Sequence, residues 1–211
     1  MKNRLIAIIL LAACAVSAGA TGLNDLENFV KTVKTGHADF TQVVTSPAKD
    51  GQVPRAKTSS GTFEFSRPSR FRFVYKKPFE QSIVADGQTL WLYDVDLNQV
   101  TARKQAQALG STPAALIAAA PDLRALQADF TLTDAPDQDG LQWVLATPKA
   151  KDSSLQSVRV GFKDGALAVL EMLDSFGQKS TMRFSAFQAN APLDAAHFQF
   201  KPPQGADVIR Q

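Results

Sequence analysis

The sequence predicts a mainly β fold: an antiparallel sheet of about eleven strands, curved into an incomplete barrel, with helical segments packed on its concave side. Three observations lead there. After residue 37, apolar and polar residues alternate with a period of two through most of the chain, the pattern of half-buried strands. Short turn signals separate these stretches, among them Asp86-Gly87, a strong signal for a two-residue hairpin. One Ala-rich tract, within 111–128, breaks the alternation and carries helix signals instead.

Residues 1–20 read as an export signal and not as part of the fold. Lys2 and Arg4 make a basic start, and Leu5 to Ala13 an apolar run well short of the ~20 residues of a membrane span. Ala18-Gly-Ala20 then supplies the small-residue pattern for cleavage after Ala20. Within this signal, Leu11-Ala-Ala-Cys14 also fits the pattern at which a cysteine is lipidated, so a membrane-anchored form is the alternative. Cleavage after Ala20 removes the one cysteine, leaving core packing to hold the fold without disulfides. Residues 21–211 show no internal repeat, linker or low-complexity tract and are read as one domain.

The first element is a helix over 24–34. Asn24 is placed to cap it, Glu27 to complete a capping box, and Leu26, Phe29, Val30 and Val33 to form its apolar face. Strands are expected at 37–45, 59–66, 70–76, 80–85, 89–94 and 99–104, separated by turns at Asp50-Gly51, Arg67-Pro68, Lys77-Pro78, Asp86-Gly87 and Asp96-Leu-Asn98. The helical insert begins with a cap at Ser111 or Thr112 and Pro113 near the first helical position. Pro121 ends its first part, and 122–128 suits a second short helix. Strands resume at 129–134, 141–147, 155–162, 166–174 and 179–188. Successive strands joined by short turns make an antiparallel meander.

Charge and chemistry narrow the function. The chain has 23 basic and 20 acidic residues, and Lys2 and Arg4 belong to the leader. What remains is close to neutral and lacks the cationic excess that drives nucleic-acid binding. His37 and His197 lie at opposite ends of the chain, and with no cysteine beyond the leader no common zinc site can be assembled. There is no nucleophile elbow, phosphate loop or dinucleotide glycine motif. The pairs Asp94/Asp96 and Asp137/Asp139 read as turn chemistry. The sequence therefore points to binding without turnover and calls for no cofactor.

Fourteen Phe and two Trp are the main material for binding. Phe63 and Phe65 share one face of their strand, as do Phe71, Phe73 and Tyr75 on the next, while Arg72 and Val74 take the other face. On 89–94, Trp91 and Tyr93 share one face and Leu90 and Leu92 the other. Phe63, Phe65, Phe71, Phe73, Trp91 and Tyr93, with Leu116 from the insert, are the candidate lining of an apolar cavity; packing as ordinary core is the competing reading. Such a cavity suits acyl chains, whose burial yields roughly 0.8 kcal/mol per methylene. Arg67 stands at the turn between two aromatic strands, where its forked donors can reach carbonyls of a covering helix; a solvated turn residue fits the spacing equally.

Several segments together carry a family resemblance: Phe40-Thr-Gln42, Arg67-Pro68, Ser82-Ile-Val-Ala-Asp-Gly-Gln-Thr-Leu-Trp-Leu-Tyr93, Thr112-Pro113 with Leu116-Ile-Ala118, Val144-Leu-Ala-Thr-Pro-Lys149, and Phe198-Gln-Phe-Lys-Pro-Pro-Gln-Gly205. Across residues 24–209 the chain resembles the LolA family of periplasmic lipoprotein carriers. The resemblance implies an eleven-stranded incomplete barrel under a helical lid formed near 24–34 and 111–128. It places the family's gating arginine on Arg67, its lid partners on Val30, Ile117 and Ala118, and a ring beside the gate on Phe71. It also implies a monomeric periplasmic chaperone with acylated lipoproteins as cargo, loaded by an inner-membrane ABC-type release complex and unloaded to the outer-membrane receptor LolB. A LolB-like anchored receptor, if Cys14 is lipidated, and a carrier of free lipid or glycolipid are the alternatives. The loop 46–57 is basic and longer than the family pattern suggests, and Arg70 and Arg72 add charge beside the gate.

Overall fold

In the computed structural model, residues 21–48, 53–108 and 120–211 are described. The chain opens with helix α1, Gly22–Thr32, followed by six strands: β1 Thr35–Thr45, β2 Ala56–Ser66, β3 Arg70–Lys77, β4 Gln81–Ala85, β5 Thr89–Asp94 and β6 Gln99–Lys104. A single helical turn, α2 (Gln105–Ala108), and a second short helix, α3 (Leu123–Asp129), come next. Five strands then run in succession: β7 Phe130–Gln138, β8 Leu141–Pro148, β9 Leu155–Lys163, β10 Ala166–Asp174 and β11 Lys179–Ala189. A 3-10 turn at Ala195–Phe198 and strand β12, Asp207–Arg210, complete the order.

All twelve strands form one open sheet, ordered β12-β6-β5-β4-β3-β2-β1-β11-β10-β9-β8-β7. The expected meander is in fact two meanders, β1–β6 and β7–β11, joined where β1 pairs with β11 along nearly its whole length. The crossover that carries the chain from β6 to the far edge at β7 spans the helical insert. β12 lies parallel to β6, pairing Asp207 with Gln99 through Arg210 with Ala102, and was not foreseen: four residues after a Pro-Pro turn carry no usable alternation.

Curvature follows from the company Phe29 keeps. Its ring lies 6.0 Å from that of Phe65 on β2 and 5.7 Å from that of Phe162 on β9. Those strands stand four places apart in the sheet, which on a flat sheet is about 19 Å. One side chain touches both because the sheet wraps round α1. The helix lays Leu26, Phe29, Val30 and Val33 into the resulting trough, where all four are buried. Period-two alternation sends Phe63, Phe65, Phe71 and Phe73 to the same side. Gly36 carries no side chain because the Phe65 ring occupies the space a Cβ would take.

The start of α1 differs from the sequence expectation. Thr21, not Asn24, is the N-cap, its hydroxyl accepting from the Asn24 amide. The Leu23 amide donates to Asp134 Oδ1 at 2.8 Å, so a strand on the opposite side of the trough supplies a second cap. That bond spans more than a hundred residues of sequence, which a local pattern cannot reveal. Asp25 is buried in the first turn, and burial, then the charge of Asp137, push its carboxyl above the usual range. With the folded-state value above the unfolded one, this group stabilises the fold only when protonated, and that contribution is lost as pH rises through the raised value. Asp25→Asn is therefore expected to raise the thermal midpoint at pH 7, and the gain to vanish by about pH 3, in melts of the two proteins side by side.

The β4–β5 hairpin forms as the Asp-Gly pair predicts. Gly87 adopts φ 105°, and Asp86 Oδ1 accepts from the amides of Gln88 and Thr89, both at 2.8 Å. Asp86 Oδ2 accepts from Trp91 Nε1 at 3.0 Å. Burial pushes this carboxyl up, but the bonds from Thr89, Trp91 and Gln88 outweigh it and hold the group below the usual range. Its contribution to stability is present above the unfolded carboxyl value and is lost as pH falls through the depressed one. Asp86→Ala is expected to cost about 2–3 kcal/mol at pH 7, read as a lower urea midpoint.

Candidate functional site

Arg67, the gate residue expected from the sequence, is held by contacts on several sides. It follows β2 at the turn to β3, across a cis bond to Pro68, and its own amide donates to the Lys34 carbonyl at 2.8 Å. The side chain runs inward and is 8% exposed. Nε donates to the carbonyl of Val33, the C-cap of α1, at 2.9 Å, and Nη1 to the carbonyl of Ala120 at 2.6 Å. Helix-end carbonyls such as that of Val33 lack intrahelical partners and are natural acceptors. The guanidinium also lies 5.4 Å over the Phe29 ring and 5.2 Å over that of Phe65. Burial lowers its pKa to about 10, so it remains a cation at neutral pH.

One arginine thus ties the end of α1, the last residue of the Ala-rich tract, and the barrel wall together. Val30, the expected partner on α1, instead contributes a buried side chain, and the accepting carbonyl is three residues on, at Val33. Leu116, Ile117 and Ala118 lie outside the described residues. So do Ala20, Cys14 and part of the 46–57 loop.

The turn beneath Arg67 has a support that sequence reading missed. Gln105, 2% exposed, donates through Nε2 to the Ser69 carbonyl at 2.6 Å and accepts the Gly87 amide on Oε1 at 2.9 Å. It fastens the β2–β3 turn to the β4–β5 turn. A glutamine just after a strand carries no sequence signal for that role.

The rings expected to line the cavity divide into two groups. Phe63, Phe65, Phe71 and Phe73 are at most 2% exposed and fill the trough with Phe29, Phe40 and Phe162. Phe63 stacks on Phe73 at 4.4 Å, and Phe73 meets Phe40 edge-on at 5.7 Å. Trp91 and Tyr93 are a correction: they face the other side of the sheet, where both rings pack on Phe200 of the C-terminal segment. Leu90 and Leu92, the opposite face of the same strand, join the trough core. The hydrogen bond from Trp91 to Asp86 fixes which face is which.

Open space remains at the end of the trough away from Arg67. A cavity of about 380 Å³ lies there, bordered by Val44, Phe73, Ile83, Met172 and Met182 and by the exposed Phe176. Phe73 is the one ring from the expected set that borders it. Both histidines lie on the outer face, flanking Glu64 at 3.3 Å for His37 and 3.8 Å for His197. Asp94 caps the Leu97 amide, and Asp139 takes φ 56° ahead of Gly140, so both aspartate pairs include turn residues.

An open barrel lined with rings, roofed by an amphipathic helix and tied to that roof through Arg67, defines a class: a container for an apolar ligand. The chain belongs to the LolA family. The family described as "Outer membrane lipoprotein carrier protein LolA" matches residues 31–201. The outer-membrane lipoprotein carrier protein of Albidiferax ferrireducens is 75% identical over 209 residues, covering 97% of this chain and 98% of that protein. The protein of the same description from Methylibium petroleiphilum is 55% identical over 204 residues, covering 95% of this chain and 97% of that one. A solved LolA superfamily protein from Nitrosomonas europaea is 14% identical, with a TM-score of 0.47 over 86% of this chain and 99% of that chain.

Proposed function

We propose that this chain is a periplasmic chaperone that holds the acyl chains of lipoproteins beneath α1 while carrying them from the inner to the outer membrane. The observation that carries the reading is the Arg67 contact: a buried cation bonded to carbonyls on the roof, Val33 and Ala120, and stacked over rings on both roof and wall. Such a contact can be exchanged for cargo. Entering acyl chains lift α1 and the insert from the rings, and the loss of the Arg67 bonds offsets part of the gain from burying methylenes. Binding stays modest, so cargo can pass to a tighter receptor. In this reading residues 1–20 direct export and are removed after Ala20. An ABC-type inner-membrane complex loads the protein, and LolB receives the cargo. Val30, Ile117 and Ala118 belong to the moving roof, and Phe63, Phe65, Phe71 and Phe73 become cavity wall once it lifts.

The test is transfer. Protein loaded with a radiolabelled lipoprotein is mixed with outer-membrane vesicles that contain or lack LolB. Label should move to the LolB vesicles and stay with the protein otherwise. Equal movement to both would count against a receptor-directed carrier.

A further inference from the structure

The wall of the 380 Å³ cavity sets apolar side chains beside the polar Gln42, Tyr75, Ser154, Asp174, Gln178 and Ser180. Of these, Gln42 of β1, Tyr75 of β3 and Ser180 of β11 form a connected chain. Sheet register brings them together: Gln42 follows Phe40 by two residues, Tyr75 follows Phe73 by two, and Ser180 precedes Met182 by two. Tyr75 stands level with Phe40 through Gly61, Gln42 level with Met182 and Ser180 level with Val44, so the three polar side chains step diagonally across one face of the sheet, away from the ring-filled trough.

The chain has a direction. Tyr75 donates its hydroxyl to Gln42 Oε1 at 3.0 Å, and burial keeps that phenol protonated by pushing its pKa up to about 12. With Oε1 so occupied, Gln42 Nε2 faces Ser180 and donates to its Oγ at 2.8 Å. Ser180 is an acceptor in this chain, which leaves its own hydroxyl proton as the terminal donor. That proton has no acceptor among the described residues. Ser180 is 8% exposed and borders the cavity. A buried hydroxyl without an acceptor is unfavourable, and donors in series polarise one another and strengthen the last.

We propose that Gln42, Tyr75 and Ser180 form a carbonyl-reading site, in which Ser180 donates to the ester or amide oxygen at the polar end of a bound acyl chain. The surroundings select this ligand chemistry. The apolar border at Val44, Ile83, Met172 and Met182 favours hydrocarbon. No basic residue borders the cavity among those described, and Asp174 does, so a free carboxylate or a phosphate finds no counter-charge there. An esterified chain offers a neutral carbonyl acceptor and no proton to desolvate, and an amidated one adds a single N–H. The inference rests on the acyl-carrier reading above and adds which part of the acyl group is recognised.

The experiment measures displacement of a fluorescent apolar dye from the purified protein by dioctanoylglycerol, a diester, and by dioctylglycerol, its diether counterpart. The diester is expected to bind about fivefold more tightly, the worth of one neutral hydrogen bond. Ser180→Ala should bring the diester down to the level of the diether, and Tyr75→Phe, which removes the proton that orients Gln42, should narrow the gap in the same direction. If the wild-type protein binds both lipids equally, or if both variants keep the full preference, the carbonyl site is wrong while the acyl cavity stands. If neither lipid displaces the dye, the acyl-carrier reading and this inference fail together.

Discussion

Arg67→Leu is expected to yield a protein that loads lipoprotein and then fails to hand it on. Leucine keeps an apolar side chain between Phe29 and Phe65 but cannot bond the carbonyls of Val33 and Ala120. A hydrogen bond from a charged group is worth about 1.5–3 kcal/mol, so removing both weakens the closed form by several times thermal energy. In the proposed mechanism cargo competes with that closed form. Weakening it raises the apparent affinity for cargo by about tenfold for each 1.4 kcal/mol lost. Transfer to a receptor is expected to slow by the same logic, because in this mechanism the re-forming latch drives release. The measurement is the labelled-lipoprotein transfer described above, with the variant's retained fraction at least about tenfold higher than wild type. Arg67→Lys is the control: it keeps a cation but not the fork that reaches two carbonyls in different directions. Transfer by Arg67→Leu at the wild-type rate would remove Arg67 from the gating role.

Phe29→Ala has the largest expected effect on stability. Its ring meets those of Phe65, Phe162 and Phe187 and also lies under the Arg67 guanidinium. Truncating a fully buried Phe typically costs about 3–5 kcal/mol, from lost transfer energy and the cavity left behind. Here the cavity opens between roof and wall, so the loss falls first on the docking of α1. The urea midpoint should drop by that amount with little change in slope. Amides of α1 should lose hydrogen-exchange protection more than those of β1 and β11, whose ladder does not pass through Phe29. A midpoint shift worth less than about 1 kcal/mol would mean that α1 is not held by this ring.

These two residues also show what the sequence disclosed. The apolar stripe of α1 and the inward face of β2 and β3 follow from spacing alone, because 3.6 and 2 are the periods of their backbones. All eleven expected strands are present, and their hairpin partners follow from short turns. The β1–β11 pairing was not legible: it joins residues as far apart in sequence as Gly36 and Ala189, and no turn connects them. Separation in sequence also hides Asp134 as a cap of α1. Trp91 and Tyr93 were assigned to the wrong side because alternation separates two faces without saying which is inward. Size favoured the rings for the interior, yet Leu90 and Leu92 occupy it, and the C-terminal Phe200 covers the rings on the outer side. Gln42 shows a related limit. A glutamine inside a strand looks neutral until Tyr75 and Ser180 arrive from two other strands.

The central claim is that acyl chains, and not the protein part of the cargo, occupy the trough beneath α1. The most direct measurement is the mass of what the protein removes from inner membranes. Purified protein is added to spheroplasts making one test lipoprotein, either acylated or with its lipidated cysteine replaced by serine, and the supernatant is analysed by native mass spectrometry. A soluble complex of this chain with the acylated form, and none with the serine form, is the expected result. Equal recovery of both forms, or of the chain bound to small lipids alone, would contradict it.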